Sequence, residues 1–128
     1  MDQNQIVQLS RYIQNGKLYY NPERDRIEAN LPTVCPSNHA PSLLELDNGD
    51  LLCVWFAGIE EGGGDIHVYM SRLEANGSAW SEPMKLTVDD TTADQNPSLF
   101  QAPDGTVWLI HTSMETRGCS LQEWQQKL

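Results

Sequence analysis

The chain has 128 residues, enough for one ordinary domain, and its 39% hydrophobic content permits a core, which excludes disorder by composition. Asp and Glu number 18 against 8 Lys and Arg, a formal charge of −10 that argues against nucleic acid and anionic membrane surfaces as partners. The excess of carboxylates serves solubility first.

The opening residues, MDQNQIVQLSRYIQ, lack the basic start and apolar core of a secretory signal, and no apolar run reaches the length of a membrane span. A cytoplasmic location is therefore expected. Ile6, Leu9 and Ile13 fall on one helical face, but Gly16 follows soon after, and the segment reads equally well as an extended lead-in. LYYNPERDR reads as a strand end and a charged turn. Cys35, Cys53 and Cys119 are odd in number and lack metal-ligand spacing, so neither a disulfide framework nor a zinc site is expected, and no metal or cofactor is invoked. Cys53 sits in an apolar run and reads as a small core residue.

From His39 to Gly58, HAPSLLELDNGDLLCVWFAG, two apolar runs are joined by Asp47, Asn48, Gly49 and Asp50. Asn-Gly between strand-like runs predicts a hairpin with positive φ at both central residues. LLCVWFA shows no alternation, as expected for a strand covered on both faces. A polar loop with three glycines follows, and then DIHVYMSR alternates Ile66, Val68 and Met70 against His67, Tyr69 and Ser71, a half-buried third strand that leaves His67 exposed. After Asn76-Gly77, Met84, Leu86 and Val88 are expected to form an outer fourth strand, where Pro83 is tolerable.

The pattern returns at Pro97, where Pro41, Ser42, Leu43 and Gly49 recur as Pro97, Ser98, Leu99 and Gly105, an offset of 56 residues (97 − 41). A self-similarity of about 50 residues built from strands and turns is the mark of a β-propeller blade. A blade is a four-stranded sheet that cannot bury both faces alone, and closure takes typically about four to eight of them. This chain has room for about two. The expected organisation is a lead-in over residues 1–34, resembling the closing strand that propellers often take from the chain ahead of the first blade, then blades over 35–128. The first blade covers about 38–90 and the second starts near 95, with strands over 97–101 and 106–112. GCSLQEWQQKL shows no alternation where a third strand is due, so a truncated piece of a longer propeller is expected. Such a piece should self-associate through uncovered blade faces.

HAPSLLELDNGDLLCVWFAG, then EGGGDIHVYMSRLEANGSAWSEP, then QNPSLFQAPDG together resemble the opening of the sialidase-like β-propellers that carry the bacterial neuraminidase repeat, over about residues 33–117. The resemblance implies an all-β propeller and a glycoside hydrolase acting on glycans with acidic sugars. Two departures stand out. Where that family has an Arg-Ile-Pro motif whose arginine grips the substrate carboxylate, this chain has His39-Ala40-Pro41. Its Asp-box turn survives only as Gly77 and Trp80, with Leu73, Ala75 and Ala79 in place of the rest. A related sialidase-like branch carries a His-Ala pair at this point and is the nearer match.

The resemblance places the acid/base carboxylate in the glycine-rich loop, at Asp65 or Glu61; the plain alternative is a solvated acidic loop. In the same family the nucleophile is a tyrosine, which would lie in blades this chain lacks. His39, flanked by Asn38 at the loop end of a blade, suits a general base or a donor to a sugar carboxylate, or else simply caps the strand. Gln95 and Asn96 fall at the same rim in the next unit, where amides suit sugar hydroxyls and equally cap turns. His111 takes the repeat position of Trp55 and reads as packed, and Trp55, Trp80 and Trp108 read as blade core. The partner is thus a glycan or small sugar. A histidine in place of the arginine keeps a second chemistry open, proton abstraction beside a uronate carboxylate as in polysaccharide lyases, and a third reading is a glycan-binding propeller fragment without catalysis.

Overall fold

The computed structural model describes residues 2, 5, 13–61 and 63–115. Ile6, Leu9, Arg117, Cys119 and the C-terminal GCSLQEWQQKL lie outside them. The elements of the described residues are all strands: β1 (Tyr19–Asn21), β2 (Arg26–Glu28), β3 (Ser37–Glu45), β4 (Leu51–Gly58), β5 (His67–Leu73), β6 (Met84–Lys85), β7 (Thr92–Gln101) and β8 (Val107–Glu115). They form an antiparallel hairpin β1-β2, a four-stranded antiparallel sheet in the order β3-β4-β5-β6, and a second hairpin β7-β8. Consecutive strands as nearest neighbours, stacked sheet against sheet, are the arrangement of a partial β-propeller. No helix among the described residues is long and apolar enough to cross a membrane.

Both hairpins turn in the same way, and the turn differs from the expected one. Leu46 N–H donates to the Asp50 carbonyl and Gly49 N–H to the Leu46 carbonyl; 56 residues on, Ala102 N–H donates to Thr106 and Gly105 N–H to Ala102. Each loop therefore has three residues, with one left-handed position at its end, Gly49 (φ 87°) and Gly105 (φ 89°). Asn48 does not share the positive φ. A type I turn closed by a left-handed glycine satisfies the strand twist with one such residue instead of two.

β4 is buried over its length, as the lack of alternation predicts. Cys53, Trp55 and Ala57 point to one face, where Leu31 and Cys35 of the lead-in pack with Tyr69 and Trp80. Phe56 points to the other and meets Ile66, Ala93 and Met114, so the second hairpin covers this face. Burial pushes the Cys53 thiol up, which suits a packing residue better than a reactive one. The lead-in reaches its position through its own hairpin. Its strand end and charged turn appear where expected, and the returning strand β2 is closed by Glu28, which accepts from Tyr19 Oη (3.0 Å), Asn21 Nδ2 (3.2 Å) and Arg26 Nε (2.7 Å). The Arg26 guanidinium, with Asn21 next, holds the Glu28 carboxyl down at about 2.

Other boundaries shift for physical reasons. The outer strand is only Met84–Lys85, extended by one bond from Leu86 N–H to the Val68 carbonyl, and Val88 is exposed. In the second unit the strands run from Thr92 and to Glu115, longer at both ends than expected, because Asp94 N–H bonds to the Ile66 carbonyl and Ala93 and Met114 enter the core. Trp55 and Trp80 are core, but Trp108 is 52% exposed and stacks on Phe100 at 6.1 Å between ring centroids. β7 and β8 bury only the faces that meet the first sheet.

Phe56 is 2% exposed and joins the two sheets, so Phe56→Ala should lower the unfolding free energy by about 3–5 kcal/mol, a large share of what a domain of this size possesses. Urea unfolding followed by near-ultraviolet circular dichroism checks this; a change below about 1 kcal/mol would contradict the packing described.

Candidate functional site

The topology carries every site residue named from the sequence to one end of the sheets. Ser37 pairs with Gly58 and Ala57 with His67 at that end, and Thr92 pairs with Glu115. The glycine turns lie at the other. The two hairpins are tied at both ends, by Asp94 N–H on the Ile66 carbonyl (3.1 Å) at the site end and by Asp47 N–H on Gln101 Oε1 (2.9 Å) at the turn end.

A β-bulge interrupts each hairpin at the same step. Between His39 and Ser42 two residues, Ala40 and Pro41, oppose Trp55 alone; between Gln95 and Ser98, Asn96 and Pro97 oppose His111 alone. The first residue of each bulge is left-handed, Ala40 and Asn96 both at φ 50°. For an alanine this conformation costs about 1–2 kcal/mol, while asparagine tolerates it better. A bulge re-aims the side chains beside it, and here those are His39 and Gln95.

The individual side chains then separate into engaged and open ones. His39 is exposed; its Nε2 lies 2.8 Å from Ser37 Oγ and its ring 5.3 Å from that of Phe56. Asn38 is engaged on both sides: Oδ1 accepts from Trp55 Nε1 (3.0 Å) and Nδ2 donates to the Cys35 carbonyl (2.8 Å). Asp65 lies in the loop ahead of β5, and its Oδ2 accepts from Ile59 N–H at 2.6 Å. Its other oxygen fills the space where a Cβ on Gly63 would stand, at 2.8 Å, so this loop needs a glycine there. Glu61 is exposed on the same loop. Gln95 is 6% exposed and its Nε2 has no hydrogen-bond partner, whereas Asn96 is exposed. A pocket of about 180 Å³ lies between the lead-in and the first sheet, lined by Leu31, Thr33, Asn38, His39, Cys53 and Trp55 among others.

His67 corrects the expectation drawn from alternation. It is 2% exposed, with Nε2 2.9 Å from Asp90 Oδ1 and Nδ1 3.2 Å from Thr87 Oγ1. A carboxylate only accepts, so Nε2 carries the proton; Thr87, whose oxygen accepts from Val68 N–H, gives its own to Nδ1. The sequence signal was hidden because these partners stand 20 and 23 residues downstream. His111 is not packed as expected, since 26% of its side chain remains exposed.

Charge is distributed unevenly. The described arginines are all engaged elsewhere: Arg24 and Arg26 on Glu28, and Arg72 on Asp50, which also accepts from Ala75 N–H at 2.9 Å. The Arg72 guanidinium, then the Ala75 amide, hold the Asp50 carboxyl low. Tyr69 faces Cys35 Sγ at 3.6 Å, and burial pushes its phenol up to about 12, the reverse of what an activated nucleophile requires. Among the described residues no group of three or more His, Cys, Asp or Glu could hold a metal ion.

The family model described as BNR repeat-like domain matches residues 49–127, more than half of the chain. No curated protein and no solved structure matches.

Asp65→Ala removes the acceptor of the Ile59 amide, and hydrogen exchange at Ile59 should accelerate by about tenfold while Val54, in the buried strand, keeps its rate. Unchanged exchange at Ile59 would show that the carboxylate does not hold the loop.

Proposed function

The chain belongs to the BNR repeat-like domain family, and on that premise we propose that it forms part of a carbohydrate-active, sialidase-like propeller whose strand ends around His39, Asp65 and Gln95 face a glycan carrying acidic sugars. The paired bulge carries this reading. At the same step of both hairpins a non-glycine residue is held left-handed ahead of a proline, and backbone kept in a sparsely populated conformation gathers at binding and catalytic sites. In this reading Asp65 or Glu61 is the acid/base, His39, Gln95 and Asn96 meet the sugar, and Asn38 positions His39 through its bonds to Trp55 and Cys35. The nucleophile of a retaining mechanism is not among the described residues.

A second reading is favoured by the arginines, all of which are engaged away from the strand ends. Without a guanidinium beside it, His39 is better suited to a uronate substrate. Its imidazole takes the proton α to the carboxylate, the electrons of that C–H bond form a C4=C5 double bond, and the C4–O bond to the departing sugar breaks.

A propeller-length protein containing this segment, offered a sialoside and a uronate glycan, separates the readings. Release of sialic acid that falls by about 10²–10⁴-fold in Asp65→Asn supports the hydrolase. Growth of ultraviolet absorbance from an unsaturated product, lost in His39→Ala, decides for the lyase. Silence in both assays removes catalysis and leaves a glycan-binding module.

Phe100, Trp108 and Ile110 share one face of the second hairpin and are all exposed, a patch suited to a second copy of the chain. The 128-residue chain is expected to sediment as an oligomer, and a monodisperse monomer in sedimentation velocity would overturn this.

A further inference from the structure

Two pairs of residues occupy the same place in the two hairpins. Residues 38 and 55 lie beside the first bulge, and residues 94 and 111, each 56 positions on, beside the second. In the first pair Trp55 Nε1 donates to Asn38 Oδ1 at 3.0 Å. The second holds Asp94 and His111, with Oδ1 and Nδ1 4.0 Å apart. A saturated amide–indole contact has become an ionisable pair, and an imidazole has a second nitrogen that an indole lacks.

That second nitrogen is open. His111 Nδ1 lies 3.0 Å from the Thr112 carbonyl oxygen. A carbonyl only accepts, so Nδ1 carries the ring proton and Nε2 presents a lone pair. Among the described residues Nε2 has no partner. Behind it Asp94, 3% exposed, accepts from Ser113 Oγ (2.7 Å) and Thr92 Oγ1 (3.1 Å), with His67 Nδ1 3.8 Å from its other oxygen. Next in the chain is Gln95, in the repeat position of His39, whose buried Nε2 lacks an acceptor. An unpartnered buried donor favours any oxygen that can reach it.

We propose that this end of the second hairpin is a subsite for a neutral polyhydroxylated sugar residue, in which His111 Nε2 accepts from one hydroxyl and Gln95 Nε2 donates to the oxygen of a neighbour. The charge decides the class of ligand. Asp90 and Asp94 have only histidine partners, with no lysine or arginine on either among the described residues, so an anionic sugar meets like charge while a hydroxyl does not. A hydroxyl also both donates and accepts, which matches one open acceptor beside one open donor. The Gln95 amide is closed to solvent in the unliganded chain, so a ligand meets it by rearranging the side chains above it. The subsite rests on the carbohydrate reading above and deepens it by naming a neutral sugar, but it requires no reaction.

The test uses the whole chain labelled with ¹⁵N. Its histidine ring nitrogens and glutamine side-chain amides are followed by NMR during titration with a panel of neutral methyl glycosides, and in parallel with glucuronate and N-acetylneuraminate. The expected result is saturable change at His111 Nε2 and at the Gln95 amide with at least one neutral glycoside, with a dissociation constant on the order of 1–10 mM, and binding of both acids about tenfold weaker or worse. His111→Phe and Gln95→Leu should each abolish the change. The wild-type titration stands even if either variant fails to fold. No change with any neutral glycoside, tighter binding of the acids, or change that persists in both folded variants overturns the subsite. Binding is read here without turnover, so silence in the hydrolase and lyase assays leaves it standing, and its failure leaves those readings untouched.

Discussion

β4 has to be covered on both faces, and the rest of the structure answers to that. Leu52, Val54 and Phe56 point one way, Cys53, Trp55 and Ala57 the other, and all are buried. Full burial of a large apolar side chain contributes about 1.5–3 kcal/mol, so leaving either face open would forfeit several such contributions. The lead-in covers one face with Leu31 and Cys35, and the second hairpin covers the other with Ala93 and Met114. This explains two features that local pattern does not. The lead-in folds into a hairpin locked by Glu28 and reaches across to the first sheet, and β7 starts at Thr92, early enough to lay Ala93 on Phe56 and Ile66.

The bulge is the second constraint. Two residues against one shorten the pairing, sharpen the twist and turn the strand ends outward, and the proline that follows cannot donate to the ladder. Because the bulge falls at Ala40-Pro41 and again at Asn96-Pro97, the residues ahead of it, His39 and Gln95, arrive at one end of both hairpins. Alanine at a left-handed position is the costlier of the two and is held there by the ladder on either side of it.

On this repeated backbone the side chains have diverged. The first unit uses Asn38 and Trp55 as a neutral brace, while the second carries Asp94 and His111 with His67 reaching in from β5. The first is packing; the second is chemistry in waiting. A fold repeated for stability thus presents different groups at equivalent points, which is how function is grafted onto a common scaffold.

Much of this could be read from the chain alone, because it is local. The two hairpins, their glycine turns, the offset of 56 residues and the double burial of β4 follow from runs of neighbouring residues, and topology then puts His39, Asp65, Gln95 and Asn96 at one end. The turn type was misread because Asn-Gly is compatible with one or two left-handed residues, and the hydrogen bonds to Leu46 choose one. Alternation marked His67 as facing the polar side of its strand, and it does; but whether a polar side is exposed depends on what lies over it, and Thr87, Asp90 and Asp94 lie over it. Trp108 failed in the opposite sense, an aromatic in a strand pattern with nothing above it among the described residues. Periodicity reports which way a side chain points. What it meets there is set by residues far along the chain, and only the tertiary structure brings those together.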